Sequence, residues 1–304
     1  MKTLTNIALF LPLFALWVGC EGSPDDPNPD DGSGGRSSGG SKHSGGSGAT
    51  DGDGGNATTG TAGGGDGGGD SEDPQAQEPV SLGESASFAI LASAGITNIP
   101  TSVITGDIGL TPDAGSNISG FSSPGTCPEV SGNVYVVDAT GPACATVEPT
   151  VLADAKADAK VAFLDARAAT RGTPQAISGD LAGLTLYPGL YESGSSIEIS
   201  PGGILYLDAE GDEDAVFILR SETSITTEST SEVVLQGSAK AAHVYWTAGS
   251  AVTLGTNSIM KGTIIAGTSI SLLTGVNLEG RAINQGTSAE AITLDACTIV
   301  VPEL

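Results

Sequence analysis

Few residues in this 304-residue chain have the chemistry of a catalytic or metal centre. It holds two histidines, His43 and His243, and four cysteines, Cys20, Cys127, Cys144 and Cys297. His243 opens an apolar, strand-like run with no Cys, His or Asp at ligand spacing, so it reads as structural. Acidic side chains are plentiful, and Glu210 with Asp212–Asp214 forms a cluster, but one in a turn-like, solvated setting. The basic residues Lys240, Lys261 and Arg281 stand apart from it, without the combined Asp and Arg/Lys array of a polysaccharide lyase. No glycine-rich phosphate loop or nucleophile elbow follows a strand and opens a helix. The run Asp51-Gly52-Asp53-Gly54-Gly55-Asn56 has the start of a calcium loop but lacks the closing bidentate Glu. These residues predict a protein that is not an enzyme and holds no cofactor or metal.

Charge narrows the partners further. With 36 acidic and 11 basic residues the net charge is -25, against the basic footprint that nucleic acid or anionic lipid requires. The chain divides by composition into three parts. Residues 1–20 read as an export signal: Lys2, an apolar run Ile7–Val18 too short to span a bilayer comfortably, then Gly19 before Cys20. Residues 21–80 contain 19 of the 45 glycines and no Leu, Ile or aromatic residue, which predicts a disordered tether of roughly 45 Å reach. Residues 81–304 carry the core-forming sequence.

In that last part, short strand-like segments alternate with Gly, Asn, Asp or Ser, as in an all-β architecture. A shift of 18 residues superposes Val252 on Ile270, Thr253 on Ser271, Leu254 on Leu272 and Gly249 on Gly267. A fixed short period means stacked coils, each unable to bury its own apolar side alone. Three strands per 18-residue turn suit a triangular β-helix with coils ~4.8 Å apart. One segment breaks this pattern. Residues 149–170 are Ala-rich, with Leu152, Ala155, Ala159, Ala162, Phe163 and Ala166 on one face, and predict a helix of ~33 Å lying along the solenoid. Bridging Cys127 to Cys144 would close a 17-residue loop and contribute roughly 3 kcal/mol, although pairings through Cys297 remain open at this level.

The segments Leu82–Ile99, Val103–Gly109, Leu184–Tyr191, Leu205–Ala209, Ala215–Leu219, Val244–Gly255, Gly262–Ala282 and Ile292–Asp295 together resemble the DUF3494 ice-binding protein family over nearly all of residues 82–301. The Gly19-Cys20 junction resembles a bacterial lipobox, which implies lipidation of Cys20 and an exported chain anchored at the cell envelope, with Glu21 leaning towards the outer membrane. Without lipidation the chain would be secreted. The family resemblance implies an all-β solenoid, a discontinuous right-handed triangular β-helix with one long helix packed alongside the axis. It also implies a cap over residues 112–146 stapled by Cys127–Cys144.

The same resemblance implies a flat face that binds ice through small and hydroxyl-bearing residues. Its rows map onto Ser93, Gly95, Ser193, Ser195, Thr247, Gly249, Ser250, Thr268, Ser269, Asn284, Gly286 and Thr287. Glu192, Arg220 and Glu222 flank these rows and would interrupt the face if they pointed outward. The expectation is a surface-tethered, monomeric ice-binding protein that inhibits recrystallisation, touching a membrane only through its lipid. A cell-surface adhesion or structural solenoid without ice affinity is the alternative.

Overall fold

A computed structural model describes residues 76–123, 125–286 and 290–303. Every strand pair in it is parallel, and the strands stack into three faces of a prism. The covered face runs, in spatial order, through Gln175–Ala176, Gly189–Ser193, Phe217–Ser221, Val244–Ala248, the second halves of Ile259–Ala266 and Asn277–Asn284, Phe88–Ala92, Asp107–Leu110, Val134–Val136 and Thr146–Val147. The open face contains Gly179–Asp180, Ile197–Ile199, Ile225–Thr227, Val252–Leu254, Ile270–Leu272, Ala291–Asp295, Gly95–Ile99 and Ile118–Ser119. The grooved face contains Thr185–Leu186, Ile204–Asp208, Glu232–Gln236, the first halves of the two eight-residue strands, Thr298–Val300 and Val103–Thr105.

Spatial order departs from chain order at one place. Phe88–Ala92 sits between Asp107–Leu110 and Asn277–Asn284, so the first coil stacks on the last. The chain leaves these coils as the helix α1 (Pro149–Ala166), reaches the far end of the prism and winds back. This is the discontinuous β-helix that the repeat and the resemblance imply. Alternation places one set of side chains inside, including Ile90, Phe217, Trp246, Ile264 and Ala282, and the buried indole N–H of Trp246 donates to the Lys261 carbonyl at 2.8 Å. The other set on the covered face, Leu91, Ile218, Tyr245, Ile265 and Ile283, meets Leu152, Ala155, Ala159, Ala162, Phe163 and Ala166 of α1. The helix's inner face is therefore the one that its apolar spacing predicts.

Two boundaries differ from expectation. The helix ends at Ala166 rather than Thr170, so its 18 residues span ~27 Å. The buried Arg220 explains the stop: its Nε donates to the Ala166 carbonyl at 2.7 Å and Nη2 to the Ala168 carbonyl at 3.1 Å, capturing acceptors that a longer helix would use itself. The folded part begins before residue 81. Gln77 donates to the Arg171 carbonyl at 3.2 Å, Arg171 reaches the Glu78 carbonyl at 2.6 Å, and Val80 is buried against the covered face. Within the cap over residues 112–146, Ile118–Ser119, Val134–Val136 and the adjoining Thr146–Val147 extend the stack itself. Cys127 and Cys144 are bridged with Cα atoms 5.9 Å apart, and Cys297 is a buried free thiol.

Candidate functional site

The open face is built from a recurring tripeptide. Ile225-Thr226-Thr227, Val252-Thr253-Leu254, Ile270-Ser271-Leu272, Ile292-Thr293-Leu294 and Ile96-Thr97-Asn98 each turn their outer members inward and the central hydroxyl out. Register then aligns the centres: Thr226 with Thr253, Thr253 with Ser271, Ser271 with Thr293, Thr293 with Thr97, and Thr97 with Ser119. Six hydroxyl-bearing residues thus form one rank across successive coils, ~24 Å long at the strand spacing. Beside it, one residue before each inward aliphatic, lies a second rank of Ser224, Ala251, Ser269, Ala291 and Gly95. The two ranks are small and uncharged.

Several contacts hold the surface rigid. The inward Thr227 hydroxyl donates to Ser258 Oγ at 3.2 Å and accepts from the Gly255 N–H at 3.2 Å. Asn98 turns inward as well, accepting from the Ser102 hydroxyl at 2.6 Å and donating to the Gly120 carbonyl at 3.3 Å. Threonine's branched Cβ restricts χ1, so the outward groups are preset without further ordering. Charge appears only at the margins. Glu198 and Asp180 continue the central rank at one end, and Glu228 and Asp295 stand along one side. The Ala182 backbone N–H, followed by Ser200, holds the Asp180 carboxyl below the usual carboxylate range.

The residues mapped from the resemblance fall into three groups. Ser93, Ser193, Thr247 and Asn284 are fully buried and present nothing to solvent. The reason is that they turn the corner between the covered and open faces, or lie on the covered face itself. Ser193 Oγ donates to the Ser196 carbonyl at 2.9 Å, Ser93 Oγ to Asn284 Oδ1 at 2.8 Å, and Asn284 Nδ2 to the Glu290 carbonyl at 2.8 Å. Thr247 lies level with Arg220 and beneath the Arg167 guanidinium, 3.4 Å away. Ser195, Gly249, Ser250, Thr268 and Gly286 follow at that corner with partial or full exposure. Glycine is required there, since a Cβ on Gly267 would lie 2.3 Å from the Gly249 carbonyl oxygen. Only Gly95 and Ser269 belong to the open face proper, in its second rank. Thr287, like Cys20, lies outside the described residues.

The central rank of the open face, Thr97, Ser119, Thr226, Thr253, Ser271 and Thr293, lies one strand beyond the rows mapped from the resemblance. The aliphatic–hydroxyl–aliphatic tripeptide was the available signal. Glu192, Arg220 and Glu222 do not interrupt this face. Arg220 is buried under α1 with Glu192 Oε2 3.5 Å from its Nη1, and Glu222 pairs with Arg167 at the corner.

The grooved face offers no comparable array. Its outward rank runs Thr185, Tyr206, Val234, Lys261, Glu279, Val300 and Thr105, mixing sizes and charges. A groove of about 760 Å³ lies over it, with Lys261 Nζ 2.7 Å from Glu279 Oε2. Among the described residues no group of three His, Cys, Asp or Glu side chains is arranged to hold a metal.

Prism, alongside helix and flat hydroxyl-bearing face together define a class of discontinuous β-solenoids with one regular exposed surface. The chain belongs to the ice-binding-like family, whose model matches residues 90–300. It is 34% identical over 236 residues to an ice-binding protein of Flavobacterium frigoris (strain PS1), covering 77% of this chain and 80% of that one. An ice-binding protein of Colwellia sp. is 32% identical over 225 residues, 73% of this chain and 84% of the relative. Among solved structures, the DUF3494 domain of Shewanella frigidimarina ice-binding protein 1 superposes with a TM-score of 0.69 at 28% identity, over 75% of this chain and all of that one. An ice-binding protein from an Antarctic biological consortium gives 0.65 at 36% identity, over 76% and 95%.

Proposed function

We propose that the open face adsorbs to ice and that the protein inhibits ice recrystallisation. The observation that carries this is the unbroken rank Thr226, Thr253, Ser271, Thr293, Thr97 and Ser119 beside a rank of Ser, Ala and Gly. A rigid surface with hydroxyls and methyls at fixed spacing orders the water above it into a layer continuous with a lattice, and no side chain has to be immobilised on binding. The relatives' names supply independent support.

The test is ice recrystallisation and crystal shaping with the chain from residue 20 onward, carrying Cys20→Ser. Thr253→Tyr stands in the centre of the rank and abolishes both effects while leaving the melting transition in place. Thr268→Tyr, at the corner, has the smaller effect. Unmodified crystal growth with the parent protein would sink the proposal, and equal loss from the two variants would misplace the face.

Export through residues 1–20, acylation at Cys20 and tethering through residues 21–80 up to the ordered start near Gln77 complete the reading, with Lys2, the apolar run Ile7–Val18, the Gly19-Cys20 junction and the glycine-rich composition that follows as their support. Mass spectrometry of the mature N-terminus tests them: a diacylglyceryl mass on Cys20 is expected, and an unmodified N-terminus or cleavage elsewhere overturns it.

A further inference from the structure

Two lysines one turn apart on α1, Lys156 and Lys160, line a recess that neither the fold nor the open face uses. It holds about 300 Å³, the small end of the range for ligand pockets, and its other walls are Thr111, Pro112, Ala153, Ala157, Gln285 and Gly286. Apart from the Gln285 amide, those side chains are small or apolar. Lys156 is half-buried, and its Nζ donates to Asn284 Oδ1 at 2.9 Å and to the Asn284 carbonyl. These two acceptors match the two protons of a neutral amine and leave its lone pair unused. The third proton of an ammonium has no protein acceptor among the described residues. Burial acts the same way and draws the pKa down to about 7, against the weaker pull of the nearby Glu290 charge. The charged groups beside the amine are thus Glu290, from the segment leading into Ala291–Asp295, and Lys160 on its own helix. Lys160 is exposed and enters no ion pair among the described residues.

We infer that Lys156 is a covalent capture site for a short aldehyde that carries a carboxylate, with Lys160 as the partner of that carboxylate. A lysine kept uncharged by burial is an effective nucleophile towards carbonyl carbon. The lone pair of Nζ adds to the aldehyde carbon and forms the C–N bond. One N–H proton and one proton from solvent then leave with the aldehyde oxygen as water, and the product is a protonated imine. Its remaining N–H stays on Asn284, and the Glu290 charge favours the cation. Lys160, about 6 Å along the helix at Cβ, sets the sign of the ligand's other end. Lys240 and Lys261 lack this chemistry, because each is held as an ammonium by a carboxylate, Glu213 at 3.1 Å and Glu279 at 2.7 Å. None of the recess walls belongs to the two ranks of the open face, so the inference does not rest on ice binding.

The probe is glyoxylate with cyanoborohydride, which reduces the imine to a stable carboxymethyl amine. It is applied at pH 7 to the chain from residue 20 onward with Cys20→Ser, and peptide masses read each lysine and the terminal amine separately. Lys156 is expected to be labelled at least ~10-fold faster than Lys240 or Lys261, since an amine titrating near 7 is about half neutral there and one near 10.4 almost wholly charged. Lys156→Met removes that label and leaves the others unchanged. Lys160→Gln slows glyoxylate at Lys156 about 3-fold and leaves labelling by acetaldehyde, which has no carboxylate, as it was. Ala157→Leu narrows the recess and slows both probes at Lys156. Ala157 and Lys160 are exposed, so these two variants keep the parent melting transition. Labelling of Lys156 no faster than Lys240 overturns the capture site. A Lys160→Gln variant that leaves the glyoxylate rate unchanged, or that slows acetaldehyde equally, overturns the choice of an anionic ligand.

Discussion

The covered and open faces come from the same coils, with the same parallel ladders and the same alternation of inward and outward residues. They differ in what the outward positions carry. On the covered face these are Leu91, Ile218, Tyr245, Ile265 and Ile283, which drive α1 onto the sheet. On the open face they are Thr226, Thr253, Ser271, Thr293 and Thr97, which gain nothing from being covered and stay at the surface. Sheet geometry sets the spacing of both faces, and the outward residue decides whether a face becomes an interior or a binding surface. Stability and recognition are thus allotted to different sides of one prism, and substitutions can separate them.

The largest expected effect is on the covered side. Leu152 is fully buried between α1 and the sheet, so Leu152→Ala removes packed volume from a site that the solenoid cannot close over. It should lower unfolding stability by about 2–5 kcal/mol in urea melts, with ice activity per folded molecule unchanged. Next is Arg220→Met, which leaves the Ala166 and Ala168 carbonyls and Glu192 without their donor. A loss of about 1–3 kcal/mol follows, accompanied by fraying of the last helical turn in hydrogen exchange.

Much of the covered side was legible in the sequence. The six inner residues of α1 have helical spacing, and all six are buried. The solenoid followed from the 18-residue shift, which pairs Val252 with Ile270 and Leu254 with Leu272 as the ladder does. The helix terminus was not legible, because it depends on Arg220, 54 residues away. Nor was the exposed register at the corner. Thr247, Ser193 and Asn284 have the same small polar character as the open face, and only three-dimensional placement shows their hydroxyl and amide groups turned to backbone carbonyls, to neighbouring side chains and to Arg167. A row of small polar residues is ambiguous between corner and face. The flanking aliphatics resolve it, since an outward hydroxyl must have an inward neighbour on each side.

The next effect in size is electrostatic and falls at the edge of the covered side. Lys156 lies between α1 and the corner, donating to Asn284 Oδ1 at 2.9 Å and to its carbonyl, with burial pulling its pKa down to about 7. The unfolded chain holds that proton up to the ordinary lysine range, so between about pH 7 and 10 it binds more protons than the folded state. Stability contributed through Lys156 therefore rises with pH over that window, by no more than about 1.4 kcal/mol per unit, and is reduced below pH 7. Lys156→Met should be more stable than the parent at pH 6 and should flatten this rise. A parent chain whose melts are level from pH 6 to 9 would show the ammonium to be better solvated than its surroundings suggest. The Thr, Ser, Ala and Gly members of the two ranks carry no ionisable group, so ice activity measured on folded protein should not follow this curve.

The smallest change sharpens the comparison most. Thr293→Val keeps the branched shape and exposure of a mid-face residue and removes only its hydroxyl. Its ladder partners Thr97 and Ser271 remain, and among the described residues no hydrogen bond is made by that oxygen, so unfolding stability should stay within about 0.5 kcal/mol of the parent. If flatness and preset methyls organise the water layer, recrystallisation inhibition survives in Thr293→Val and is lost in Thr293→Tyr, which breaks the surface. Loss in both would instead place the recognition in the hydroxyls themselves. The same exchange of Thr for Val on the covered side, at Thr247, reads differently. That hydroxyl faces the Arg167 guanidinium in a buried setting, so removing it should register in the melting transition and not on ice.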